Sequence, residues 1–194
     1  QFLHLSKSLL TDQEFTILAV TTDSGKPGHR ELLSNWNGGV GNSVTSLFLG
    51  LTGERQVRLS DAVSGVGEIR DLRSPFLFSA SNGPQGAMIY QGDRLVHQMP
   101  GPLPERRLDT AWVIGQQGNF DAEYWSGTLQ LLMVFDRQLS EAEQRLLRSA
   151  ITTRFRLRVS RPPELVHKPP TARQRAVASL ALVLMNSNEF LFID

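Results

Sequence analysis

Cysteine is absent from this 194-residue chain, and disulfides, thiolate nucleophiles and Cys-ligated zinc are absent with it. The redox compartment stays open on that count. Net charge is nearly absent as well: 20 Lys and Arg oppose 19 Asp and Glu for a formal +1. No global field therefore steers the molecule onto nucleic acid or an anionic membrane, and any electrostatic partner must be held locally. Long apolar runs are missing too. The longest, Ala176 to Met185, is ten residues long and broken by Ser179, well short of the roughly 18 to 20 residues that cross a bilayer. There is no internal repeat, no low-complexity tract and no signal-peptide pattern. The chain begins at Gln1 rather than Met, and the expectation is that a larger protein continues beyond it. No G-x-S-x-G elbow, H-E-x-x-H helix or Glu-x-Asp-x-x-Glu strand occurs, and the four histidines, His4, His29, His97 and His167, are scattered. No catalytic residue is expected, and the chain is read as a non-enzyme.

What is present is β-sheet patterning. Segments rich in β-branched and aromatic residues recur at about ten-residue spacing, at 15–23, 30–36, 46–51, 56–61, 76–81, 87–91, 94–98, 111–115 and 127–135. Turn chemistry separates them: Asn37-Gly38-Gly39, Thr52-Gly53-Glu54, Asn82-Gly83-Pro84, Gln91-Gly92-Asp93 and Gly118-Asn119. No helical pattern lies between these segments, so parallel crossovers are excluded and an antiparallel sandwich of two stacked sheets is expected. A length of 194 residues suits one such domain with an appendage.

The pattern changes at Ser140-Glu141-Ala142-Glu143, a capping box that starts a helix of about 14 residues. Its apolar positions Leu146, Leu147, Ala150 and Ile151 recur at helical spacing, and this face is expected to dock on the sandwich edge. Residues 160–170, SRPPELVHKPP, hold four prolines and read as an extended linker. Thr171 then caps a second helix in which Ala176, Val177, Leu180, Ala181 and Leu184 share a face. So apolar a helix needs a partner surface, and none follows in this sequence. The expected domains are a sandwich over 1–159, a linker over 160–170 and a helical tail over 171–194.

Residues 124–143, YWSGTLQLLMVFDRQLSEAE, carry the densest signal. Trp125, Gly127, Leu129, Phe135, Asp136, Arg137, Leu139, Ser140 and Glu143 together resemble the closing strand and helix start of laminin-G-like, concanavalin-A-like domains. The segments FTILAV, Tyr90-Gln91-Gly92 and Trp112-Val113-Ile114-Gly115 fall in the matching order. The resemblance implies a jelly-roll fold of two antiparallel sheets and a non-catalytic recognition role. The last 29 residues, ending SLALVLMNSNEFLFID, resemble the C-terminal end of a planctomycete-specific family of unknown function often joined to cytochrome c modules. That resemblance implies a parent protein on whose missing part the tail packs.

Flat rings offer sugars a large contact area at small entropic cost. Trp36, flanked by Asn35 and Asn37 beside a Gly-rich loop, is the expected exposed ring, with Tyr90 as a second ligand-binding candidate and Tyr124 as a further ring that could stack on a sugar; Trp112 and Trp125 read as core. The run 37–43, NGGVGNS, lacks the Lys of a phosphate-binding loop and reads as a hairpin or binding loop. Asn119, Asp121 and Glu123 gather hard oxygen donors, so calcium is the one metal considered and no other cofactor is expected. Arg154, Arg156 and Arg158 would share one side of an extended RFRLRV segment and could fork onto sulfate, phosphate or carboxylate; otherwise they are a solvated helix end.

The reading is a module that recognises carbohydrate, an anionic polysaccharide being one candidate, or another protein. Its expected setting is a bacterial envelope or secreted protein, extracellular or periplasmic, with no nucleic acid partner and no membrane insertion. The alternative is a structural module that packs on its parent domain.

Overall fold

The computed structural model describes residues 2–36, 45–61, 63–65, 67–69, 71–118 and 122–157. The chain divides into two compact units, Gln1–Leu139 and Ser140–Asp194. All the strands among the described residues lie in the first. They are β1 (Leu3–Leu5), β2 (Phe15–Thr21), β3 (Arg30–Ser34), β4 (Phe48–Leu51), β5 (Val57–Leu59), β6 (Val63–Ser64), β7 (Phe76–Asn82), β8 (Met88–Gln91), β9 (Arg94–Gln98), β10 (Trp112–Ile114) and β11 (Leu129–Phe135). They form a six-stranded sheet in the order β1-β10-β3-β4-β5-β6 and a five-stranded sheet in the order β11-β2-β7-β8-β9. Every strand pair is antiparallel. This is a jelly-roll sandwich, as the strand spacing predicts.

Period-two alternation decides which side chains enter the core. Phe15, Ile17 and Ala19 of β2 and Phe78 and Ala80 of β7 point inward from one sheet, while Leu49, Leu51, Val57, Leu59 and Trp112 point inward from the other. Burial of aliphatic and aromatic side chains on both inner faces, at roughly 1.5–3 kcal/mol each, is the main force holding the layers together.

The resembling segment 124–143 has a mechanical explanation. Trp125 stacks on Phe78 with centroids 6.1 Å apart, and its indole Nε1 donates to the Thr22 carbonyl at 2.9 Å. Gly127 lies so close to that carbonyl that a Cβ would collide with it. Thr22 N–H donates to the Thr128 carbonyl at 2.9 Å, so the closing strand β11 is sewn to β2 before its regular ladder begins. At the far end the Thr16 hydroxyl donates to the Arg137 carbonyl at 3.0 Å and accepts from Leu139 N–H at 2.9 Å.

In the second unit, α1 spans Glu141–Arg154, with Ser140 as N-cap and both halves of the capping box formed. Of the two readings of RFRLRV, the helix end is the one that forms over its described residues. Arg154 is the last helical residue, Phe155 is the C-cap, and Arg156 turns left-handed at φ 51°. The N–H of Leu157 reaches back to the Thr152 carbonyl at 3.0 Å, and that of Arg156 to the Thr153 carbonyl at 3.3 Å. This Schellman pattern satisfies otherwise orphaned carbonyls and wins over strand alternation. Arg158, the linker 160–170 and the tail helix lie outside the described residues.

Candidate functional site

The outward face of the six-stranded sheet departs from a simple solvated surface. In β5, Val57 and Leu59 enter the core, so Arg58 points away from it. Cross-strand register sets Arg58 opposite Gly50 of β4 and Gly50 opposite Glu31 of β3. A bulge between Glu31 and Leu33 lets Leu32 and Leu33 both join the core while Glu31 meets Arg58 on the other face. Gly50 provides the space between them: a Cβ there would strike the Glu31 carboxylate and the Arg30 carbonyl. A second row crosses the same sheet through His4, Val113, Ser34 and Phe48.

Arg58 is the hub of the first row, with 12% of its side chain exposed. Its Nε donates to Glu31 Oε1 at 2.8 Å and its Nη2 donates to the same oxygen and to Glu123 Oε2, the latter at 2.7 Å. The guanidinium lies 4.8 Å over the Phe48 ring, a cation–π contact. Arg58 Nη1 makes no hydrogen bond among the described residues. Glu123 holds its place in a left-handed backbone conformation, φ 55°, which costs a non-glycine residue of order 1 kcal/mol. Its carbonyl accepts from Glu31 N–H at 2.9 Å, and its Oε1 lies 3.7 Å from His29 Nδ1.

Glu31 is fully buried, and its Oε2 has no hydrogen-bond partner among the described residues. Burial pushes its carboxyl up to about 8; the Arg58 charge and hydrogen bond oppose this, and the neighbouring Glu123 reinforces it. Because Oε1 already accepts from Arg58, a protonated Glu31 carries its proton on Oε2.

Next to Glu123, Tyr124 forms a parallel bridge to Glu31. Its side chain is exposed at 41%, and Phe2, at 47%, lies 6.2 Å from it. The Tyr124 ring of this exposed aromatic pair thus follows directly in the chain on Glu123, whose carboxylate with that of Glu31 braces the Arg58 guanidinium.

The residues singled out from the sequence are not brought together. Trp36 follows β3, is half-buried, and packs edge-on against Phe48 at 6.2 Å. Asn35 is a buried bracket rather than a ligand contact: its amide donates to the Arg107 carbonyl at 2.6 Å, and its side-chain oxygen accepts from Leu47 N–H at 2.7 Å. Tyr90 sits on β8 in the other sheet at 6% exposure, with its hydroxyl 3.9 Å from Met88 sulfur. Trp112 and Trp125 are buried, as expected of core residues. Arg154 and Arg156 terminate α1. Asn37, Asn119, Asp121 and Arg158 lie outside the described residues. Of the calcium candidates Glu123 is described, and its carboxylate is engaged by Arg58. Among the described residues no group of three or more His, Asp or Glu is placed to hold a metal.

Glu31 and Arg58 carry the site together with Tyr124; the sequence analysis named Tyr124 among the stacking candidates but did not select the other two. Part of their signal was present: Glu31 stands beside Arg30 at the head of RELLS, and Arg58 stands between Val57 and Leu59 in QVRLS. What was missing was the register that makes them neighbours across β4.

No family model matches this chain, and no curated protein matches it. Solved structures do share its fold. A heptameric SAP-like pentraxin from Limulus polyphemus superposes with a TM-score of 0.57 at 16% identity, over 77% of this chain and 76% of that one. The CBM40 of the Ruminococcus gnavus IT-sialidase, bound to α2,3-sialyllactose, gives 0.56 at 14% identity, over 74% and 93%. The NanB sialidase of Streptococcus pneumoniae, as a K499G mutant, gives 0.59 at 11% identity, over 90% of this chain but 29% of the enzyme. These likenesses establish the jelly-roll fold expected from residues 124–143. The resemblance of the last 29 residues to a planctomycete family finds no matching model, and those residues lie outside the described ones.

Proposed function

We propose that the chain is a non-catalytic carbohydrate-binding module whose site is the outward face of the six-stranded sheet around Arg58, Glu123 and Tyr124. The observation that carries this reading is the exposed Tyr124 ring, next in the chain to the Glu123 carboxylate that pairs with Arg58. Sugar recognition needs an apolar platform for the pyranose face and directional polar groups for its hydroxyls. The CBM40 that shares this fold was crystallised with a sialylated sugar, which adds support.

The non-catalytic part of the reading rests on the carboxyl pair itself. Glycoside hydrolysis places two carboxyl groups on either side of the scissile bond, about 5 to 10 Å apart. Here the Arg58 guanidinium fills the space between Glu31 and Glu123, and Glu31 is sealed from solvent. The reading extends to an extracellular or periplasmic setting within a larger bacterial protein, the sandwich running over 1–159 and the tail packing on the remainder. No helix among the described residues is long and apolar enough to cross a membrane.

A glycan array probed with the wild-type chain and Tyr124→Ala tests the proposal. Binding by the wild type and a loss of at least about tenfold, some 1.4 kcal/mol, in the variant is the expected result. Silence across the array, or hydrolysis of a captured glycan, rejects it.

A further inference from the structure

We infer that the ligand gripped by this face is an uncharged sugar unit presenting a vicinal diol, with Arg58 Nη1 as donor, Glu123 as acceptor and Tyr124 as the platform beneath the ring. The inference rests on the carbohydrate reading above and narrows it.

Two arguments lead to it. The first is the pairing of donor and acceptor. Glu123 Oε2 accepts from Arg58 Nη2 at 2.7 Å, and Nη1 is the nitrogen of that guanidinium with no hydrogen bond among the described residues. Adjacent hydroxyls on a pyranose ring match such a pair: one oxygen accepts from the guanidinium while its neighbour's O–H donates to the carboxylate. A lone hydroxyl would have to serve both groups through one oxygen, whereas a diol gives each its own.

The second argument is charge. Arg58 is a single cation facing the carboxyl groups of both Glu31 and Glu123. With Glu31 protonated, Arg58 and Glu123 cancel; with Glu31 ionised, the three sum to −1. In neither state do they hold surplus positive charge for a sulfate or carboxylate ligand, and such a ligand would meet the Glu123 charge at once. Among the described residues the further titratable group ion-paired to this cluster is His29, 3.7 Å from Glu123 Oε1 and on the carboxylate side rather than the guanidinium side. The arginines that the sequence pointed to as an anion grip, Arg154 and Arg156, end a helix in the second unit.

Two further features indicate a built site. Glu31 Oε2 is buried without a hydrogen-bond partner among the described residues, and the Glu123 backbone is held in the left-handed region. Both are costs borne where side chains are being positioned for a task.

The test is a glycan array of neutral oligosaccharides (lactose, cello- and manno-oligosaccharides) beside sialyllactose and heparin fragments, followed by calorimetry at low and high salt. Wild type, Glu123→Gln and Tyr124→Ala are compared, each checked for an unchanged thermal transition. Expected are neutral hits whose affinity is insensitive to salt and falls about tenfold or more in both variants, and whose deoxy analogues lacking either hydroxyl are not bound. Retention of sialyllactose or heparin alone, weakened by salt, overturns the neutral-diol assignment and leaves the carbohydrate reading standing. Neutral binding that Glu123→Gln leaves unchanged likewise overturns the proposed grip. Absence of binding to every glycan overturns both readings.

Discussion

Glu31 is the residue on which the solution behaviour of this face turns. Its carboxyl, raised to about 8 by burial against an ordinary value of 4.5, binds a proton in the folded chain over a pH range where the unfolded chain has released it. Folding stability therefore falls as pH rises from about 4.5 to about 8, at up to about 1.4 kcal/mol per pH unit from this group. Melting curves collected across that range should show the decline in the wild type and a flatter profile in Glu31→Gln, which cannot ionise. Two glycines complete the residue-scale picture. Gly50 leaves room for the Glu31 carboxylate, and Gly127 lets β11 approach the Thr22 carbonyl. At Gly127 the obstacle is backbone, which cannot swing aside. Gly127→Ala should cost roughly 1–3 kcal/mol in denaturant unfolding, with no loss of any charged group.

Among the elements, α1 allows the cleanest experiments because both of its ends are chemically explicit. Ser140→Ala removes the cap that accepts from Glu143 N–H and should lower stability by about 1 kcal/mol. Arg156→Gly at the left-handed C′ position should raise it by up to about 1 kcal/mol. Opposite shifts in melting temperature for these two variants are the check. The elements also show why some features were legible and others were not. The nine strands expected from alternation and turn residues all form, and the Ser140 box starts a 14-residue helix as read. The two strands not anticipated, Leu3–Leu5 and Val63–Ser64, are three and two residues long, too short for a period of two to register. RFRLRV admitted two readings from its alternation, a strand or a helix end, and the Schellman closure at Phe155 to Leu157 decides for the helix end. The Glu31–Arg58 pair depends on a bulge and on cross-strand register, neither of which is written in any local pattern.

For the molecule as a whole, the three tryptophans report on different places. Trp112 and Trp125 are buried in the sandwich, whereas Trp36 is half-buried at the edge of the second row on the outward face. Iodide should therefore quench a fraction of the emission that disappears in Trp36→Phe. The two buried indoles donate to backbone carbonyls, Trp112 to Leu108 at 3.2 Å and Trp125 to Thr22 at 2.9 Å, and should stay bright. The jelly roll itself was readable from the spacing of strands and from residues 124–143. The pairing of Glu31 with Arg58 on its outward face was not, because Trp36 and Tyr124 advertise themselves in sequence while a charge inside a strand does not.

The row that crosses β3, β4 and β5 has a consequence for finding kin. Its three members are Glu31, Gly50 and Arg58, so the motif is an acid, a glycine nineteen positions later and an arginine eight beyond that. Identity with the solved structures named above is 16% or less, too thin to guide a search by overall likeness. That three-letter fingerprint, required to fall on adjacent strands, can sort jelly rolls that inherited this chemistry from those that share only the scaffold.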